Sequence, residues 1–514
     1  MFFKGAWGPA GGWSRWARAA GTVAFLLLWA FWVWAIGSRF EVVAGGADSS
    51  GYLNSARLFA EGRWSTALRL PEELRSVAQP NEFMPLGFTL GGRDGEAVPT
   101  YPPGLPLQFA LAGVLFGWDW GPLVVGVVLA AAFPLLMVSA ARELGVSPLL
   151  AWAGAAVLMV SPVTLFGALQ PLSDLPAAVW SLAAWVAALR AGRSREQASG
   201  TSMRWSVACG VAVAVAVAVR PTSALIIPAL VVSLGGWRRW AAAALGGLPG
   251  ALFLGVYQFA LYGHPLASGY GNIFGALGAE WVSVTLRFYA EWLPRVLPGI
   301  VLVLPLAGGF LFREAERRRQ MVGLGMWIVA LGGFYATYPV THEVWWCLRF
   351  VLPAFPAWVL AAVLTWQVMA ERWGGPRSPR WCSLGAAVLV VWAGVLAWLW
   401  LPRMHLTAIG PSERVYREAG RWVAGNLPPD AVVSSFATSG ALYYYSSVAT
   451  LRFDDLRPDS GPDLLRRLHA AGRPVFALVF EAERPQAQER LRGVRWEPVQ
   501  TFGGLRLWRL ESEW

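Results

Sequence analysis

The sequence predicts an α-helical polytopic membrane protein that carries a small C-terminal α/β domain. Three observations lead there. Of 514 residues, 56% are hydrophobic and only 14% charged, at a mean hydropathy of +0.46, and a soluble chain cannot bury that much apolar surface. The apolar residues fall into runs close to the roughly 20 residues a membrane-crossing helix needs. From about Pro411 the long runs stop, and short β-prone segments alternate with helical spacing.

The net charge of +11 lies in short clusters between apolar runs. That pattern sets membrane topology and is unlike the continuous basic face of a nucleic-acid-binding domain. Cys209, Cys347 and Cys382 form no C-x-x-C pair and suggest neither a zinc site nor a disulfide framework. Many of the 31 tryptophans stand near the ends of apolar runs, where an interfacial belt belongs.

The first run, 19–37, follows Lys4, Arg15 and Arg18 and lacks a small-residue cleavage site. It reads as a retained anchor with the N-terminus in the cytoplasm, and the loop 38–121 then lies outside. Leu105 to Phe116 is too short to span and reads as a helix on the outer surface. Further spans are expected at 122–140, 149–169, 175–190, 205–219, 221–236, 241–262, 296–312, 321–340, 350–370 and 381–402, about eleven in all. This arrangement puts each basic cluster inside: Arg142; Arg190, Arg193, Arg195 and Arg204 against Glu196; Arg238 and Arg239; Arg313 and Arg317 to Arg319; and Arg372, Arg377 and Arg380. The outer face collects 38–121, Gln170 to Asp174, the Arg220-Pro221 junction, 263–295, His342 to Arg349 and everything after Pro402. The unusual polar residues converge on that face.

Residues 1–402 thus form a transmembrane domain and 411–514 an extracytoplasmic α/β domain. In the latter, Val415, Ala419, Trp422 and Val423 mark a helix that ends at Asn426-Leu427-Pro428-Pro429-Asp430. Strands are expected at Ala431 to Ser434, Ser447 to Phe453, Val475 to Phe480 and Leu505 to Leu510, with a helix at Leu464 to Ala471.

The candidate chemistry sits in the outer loops. Asp48, in a Gly- and Ser-rich stretch at the membrane surface, suits a general base for an acceptor hydroxyl; it equally suits the cap of the helix that follows. Asp174 reads either as the N-cap of the span it precedes or as a second carboxylate facing Asp48. Arg220 and Arg349 stand at the outer ends of apolar runs, against the positive-inside trend. They either snorkel to headgroups or clamp a phosphate through bidentate hydrogen bonds. Tyr101, His264, Tyr270, His342 and Glu343 join them as candidate substrate contacts. His342 and Glu343 are adjacent, with no third ligand at metal spacing, so no metal or other cofactor is expected. No Walker loop, G-x-S-x-G elbow or G-x-G-x-x-G follows an expected strand.

The order of these motifs is itself informative. Asp48 with Tyr52-Leu53 is followed by Tyr101-Pro102-Pro103-Gly104, Ser173-Asp174 and Arg220-Pro221. Next come Tyr262-Gly263-His264-Pro265 and Arg349-Phe350-Val351-Leu352-Pro353. The series resembles the GT-C membrane glycosyltransferases, in particular the family 39 branch of protein O-mannosyltransferases and lipid A aminoarabinose transferases. The resemblance covers roughly residues 15–370, and the C-terminal domain resembles the outer domains of bacterial members.

The resemblance implies a GT-C core and a sugar donor carried on a polyprenyl phosphate. It matches Asp48 to the catalytic acid of the first loop and Asp174 to the second outer acid, with Arg220 and Arg349 near the lipid phosphate. Ser49 departs from the family, in which a second acid often follows the first. The reading is a membrane glycosyltransferase acting on an acceptor hydroxyl at the outer face. Two rivals differ in what they require. A transporter or flippase needs ionisable residues near span centres and an internal duplication. A non-catalytic scaffold keeps the core only to present the C-terminal domain.

Overall fold

The structure is a computed structural model that describes residues 15–91, 95–193, 200–312, 314–457 and 459–512. Lys4, Arg195, Glu196 and Arg313 of the charge clusters above lie outside the described residues.

Helices α1 (Arg15–Arg39), α2 (Asp48–Ala60) and α3 (Gly104–Phe116) bracket the first long loop, which holds one short hairpin, β1 (Phe88–Leu90) and β2 (Ala97–Pro99). The bundle continues through α4 (Gly121–Glu143), α5 (Pro148–Val160), α6 (Pro162–Ala168), α7 (Asp174–Arg193), α8 (Gly200–Val219), α9 (Ile227–Leu234) and α10 (Trp237–Tyr262). It ends with α11 (Ile273–Ala276), α12 (Glu280–Val296), α13 (Gly299–Leu311), α14 (Ala315–Ala336), α15 (Phe355–Gly374) and α16 (Ser378–Arg403).

Every expected span is wholly or largely helical, and sequence punctuation sets the ends. Pro162 breaks 149–169 into α5 and α6 at 63°, and Pro298 separates α12 from α13 at 113°. Gly263, at φ 79°, stops α10 in the left-handed region that glycine reaches without strain. By length and hydropathy, six helical stretches among the described residues can cross a membrane, or eight if each bent pair counts as one; the stretch Trp345–Arg403 holds both α15 and α16. The expectation of about eleven therefore exceeds what length and composition license. The segment expected at 221–236 folds as a 3-10 turn plus α9 and is short. As expected, Gly104–Phe116 is also a short apolar helix.

Helix α7 is central, with 78% of its apolar window buried against 11% for α10 and 17% for α1, which face outward. Its Trp185 packs on Trp327 of α14, ring centroids 5.5 Å apart, inside a core drawn from α4, α5, α7 and α15. The chain is a polytopic helical membrane protein.

The C-terminal unit holds α17 (Ile409–Asn426), β3 (Val432–Ser434), α18 (Ser439–Tyr445), β4 (Ala449–Leu451), α19 (Ser460–Ala470), β5 (Val475–Phe480), α20 (Arg484–Arg490), β6 (Val494–Phe502) and β7 (Leu505–Ser512). Its sheet runs β4-β3-β5-β7-β6, parallel over the first three strands and antiparallel beyond. The four expected strands are present. Strand β6 was not expected, because Pro498 interrupts it; it lies at the sheet edge, where the register shifts between Pro498 and Gln500.

Candidate active site

Four charged side chains from four chain segments meet at one end of the bundle. Asp48 is the first residue of α2, Asp174 the first of α7, Arg220 follows α8, and Arg349 lies in the 3-10 turn before α15. They alternate in sign. Arg349 Nη2 donates to Asp48, and its Nη1 lies 3.8 Å from Asp174. On its other oxygen Asp174 accepts from Arg220 Nη1, whose Nε donates to the Tyr335 hydroxyl at 3.1 Å. That hydroxyl lies 2.9 Å from Thr222 Oγ1.

The ladder grades from interior to opening. Side-chain exposure is 3% for Asp174, 12% for Arg220, 17% for Arg349 and 27% for Asp48. Charges this buried persist only when paired, and here each acid meets a guanidinium. Arg349 Nε has no hydrogen-bond partner among the described residues.

Asp48 does not cap α2. The helix has no side-chain cap bond at Ala47, and Ser50 Oγ donates back to the Gly46 and Ala47 carbonyls. The Asp48 carboxylate is thus free to face Arg349. Burial opposes its ionisation, but the Arg349 charge, a Tyr101 hydrogen bond and the Arg220 charge outweigh that and hold it below the usual carboxylate range. Burial and the Asp48 charge push the Tyr101 hydroxyl well above its usual value, so it stays a neutral donor.

Aromatic rings wall the opening. Tyr101 lies 4.8 Å from the Tyr52 ring and 5.8 Å, edge-on, from Tyr270. The Tyr52 hydroxyl donates to Ser173 Oγ at 2.7 Å and so joins α2 to the residue before Asp174. The Arg220 guanidinium lies 5.3 Å from the Phe350 ring, itself stacked on Tyr335.

Of the candidates read from the sequence, Asp48, Asp174, Arg220, Arg349, Tyr101 and Tyr270 come together. His264 stays in its own turn, exposed, with Nδ1 accepting the Leu266 amide at 3.2 Å. His342 stacks on Trp281 and meets Thr285 Oγ1 at 3.3 Å, and Glu343 is exposed. Among the described residues no three His, Cys, Asp or Glu side chains are grouped to hold a metal ion. Sequence reasoning missed Tyr335 and Thr222, and quoted Tyr52 and Ser173 without giving them a role. The one signal available was a cluster of tyrosines, Tyr335 and Tyr338, at the outer end of an apolar run.

No family model and no curated sequence matches the chain. Solved structures do. ArnT from Cupriavidus metallidurans bound to undecaprenyl phosphate superposes with a TM-score of 0.59 at 14% identity, covering 95% of this chain and 97% of that one. The apo state of that protein gives a TM-score of 0.57 at 16% identity, over 96% and 98%. The oligosaccharyltransferase AglB from Archaeoglobus fulgidus, in complex with an inhibitory peptide and a dolichol-phosphate, gives 0.54 at 11% identity, over 98% of this chain and 75% of that one. A transmembrane bundle, a first long loop whose helix begins at Asp48 and a C-terminal α/β unit, superposed over nearly the whole chain, give this protein the GT-C fold.

Proposed function

We propose that the chain is an inverting glycosyltransferase. It would move a sugar from a polyprenyl-phosphate donor to an acceptor hydroxyl at the extracytoplasmic face of the membrane. The observation that carries this reading is Arg349 held between Asp48 and Asp174 at the membrane-proximal opening.

Asp48, ionised at neutral pH, takes the proton of the acceptor hydroxyl as its oxygen attacks the anomeric carbon. The bond from that carbon to the phosphate oxygen breaks, and the phosphate leaves with the electron pair on its polyprenyl chain. Arg349 and Arg220 supply fixed positive charge where that negative charge develops, in a site with little water. Asp174 is almost wholly buried and faces two guanidiniums. That supports a role in setting the arginines, where the sequence suggested one in orienting the acceptor. Tyr101 and Tyr270 wall the acceptor side.

Helix α7 supports the proposed topology. Its 20 residues reach about 30 Å, the thickness of a bilayer's hydrocarbon core. Asp174 begins it and Arg190 and Arg193 end it, paired with Glu143 of α4 at 3.2 and 2.9 Å. The positive-inside rule favours a cytoplasmic basic end, and on this reading the N-terminus is cytoplasmic and the C-terminal unit outside. A transporter would place its ionisable groups mid-span; this cluster lies at helix ends.

The test is sugar transfer in membranes supplied with radiolabelled polyprenyl-phosphate hexoses and pentoses, with wild type compared with Asp48→Asn at equal expression. Transfer by wild type that collapses in the variant is expected. Equal transfer by both, or none by either across the donors, would overturn the reading.

A further inference from the structure

In open α/β sheets a ligand binds outside the carboxyl ends of the parallel strands. In the C-terminal unit that place is taken by the chain's own first loop. Beyond β3, Ser439 Oγ accepts the Leu86 amide at 3.1 Å. Beyond β4, the Arg452 amide donates to the Glu82 carbonyl at 2.6 Å, and its Nη1 donates to the Met84 carbonyl at 3.2 Å. Leu74 and Phe83 of the loop are buried in one cluster with Val432, Leu451 and Leu465 of the C-terminal unit.

The same unit grips the chain on both sides of Asp48. Upstream, Glu41 pairs with Arg414 at 2.6 Å and Arg417 at 3.5 Å, and the Ala44 amide donates to the Tyr445 hydroxyl at 3.1 Å. Downstream, Asn54 Nδ2 donates to the Gly440 carbonyl at 3.0 Å. Ser50 is fully buried against Gly440, where a Cβ would overlap its side chain and stand 2.8 Å from the Leu86 carbonyl. Only glycine allows α18 this close to α2. The Asp48 carboxylate itself is engaged by Arg349.

We infer that the C-terminal unit takes the first loop as an intramolecular ligand, and that Gly440 and Tyr445 are positioning residues that set Asp48 against Arg349. The crevice that would otherwise receive an acceptor is filled. The inference rests on the reading of Asp48 as the base. A shift of about 1 Å at a reacting group can cost about a hundredfold in rate, so a clamp two to six residues from Asp48 acts on turnover.

The experiment uses the full chain in membranes with the labelled polyprenyl-phosphate sugars. Gly440→Ala is expected to lower kcat about tenfold or more with donor KM within about twofold, the split for an interaction made at the transition state. Adding Ser50→Gly, which removes the overlapping side chain, should recover part of that loss. Tyr445→Phe deletes one hydroxyl and adds no bulk, and should lower kcat severalfold in protein that still folds, with a small drop in unfolding temperature from the unpaired Ala44 amide. Wild-type kcat in folded Tyr445→Phe overturns the inference even where Gly440→Ala fails to fold. So does a Gly440→Ala defect confined to donor KM. A wild type that transfers and an Asp48→Asn that does not, alongside unaltered clamp variants, would sink this inference alone. Failure of those two controls would sink the parent reading.

Discussion

Asp174 and Arg220 form a salt bridge between the start of α7 and the residue that follows α8, 46 positions apart and almost closed to solvent. Breaking a buried pair leaves an uncompensated charge and costs roughly 3–5 kcal/mol. Asp174→Asn should therefore lower the unfolding temperature in detergent markedly. Asp48→Asn, at the 27% exposed end of the same ladder, should leave that temperature nearly unchanged while abolishing transfer. Matching thermal shifts in the two variants would show that the ladder does not grade from interior to opening.

Arg349 sets the ionisation of Asp48. Its carboxyl lies below the ordinary value of 3.8 in the folded protein. The stabilisation from that pairing is present above the unfolded value and lost only as pH falls through the lower folded one. Transfer should then be flat from about pH 5 to 8 as far as Asp48 governs it. In Arg349→Gln the burial of Asp48 is opposed by less charge, its pKa rises, and the acid limb of kcat should move to higher pH. A limb that stays in place in that variant would mean another group is the base.

How much of this was legible in the sequence depends on the range of the forces. The long apolar helices were legible because an apolar run near 20 residues has one stable fate in a bilayer, whereas the number of crossings was overread where short runs such as 221–236 were counted. The shared side of Asp48, Asp174, Arg220 and Arg349 followed from topology. Their pairing did not, because Arg349 meets Asp48 across 301 residues and no local rule selects that partner. Strand β6 was hidden by Pro498. The seven residues of α18 were hidden because their helical state is fixed by docking on α2 through Gly440 rather than by a periodic pattern.

Gly87 tests the seat of α2. It has φ 90° and packs against Gly51, where a Cβ on Gly87 would run into the Gly51 backbone. Gly87→Ala thus faces both a disfavoured backbone and a clash with the turn that follows Asp48. It should lower both the yield of folded protein and kcat, by more than Gly62→Ala, which has a similar φ of 70° but open space around it. Equal effects from the two changes would reduce the result to backbone strain.

Glu413 of α17 is tucked against Gly45, which lies three residues before Asp48, and near Tyr416. Burial pushes its carboxyl up to about 7 from an ordinary 4.5. A raised folded value means that the folded state holds this proton when the unfolded state has released it, so stability falls as pH rises between those values and levels off above the higher one. Glu413→Gln, which mimics the protonated form, should match wild type near pH 4.5 and exceed it at pH 8 by on the order of 3 kcal/mol. Thermal unfolding at the two pH values checks this. If the clamp on Asp48 loosens when Glu413 ionises, wild-type kcat should fall above neutrality and the variant's should not. A variant less stable than wild type at pH 8 would show instead that the ionised carboxylate has a partner worth more than its burial costs.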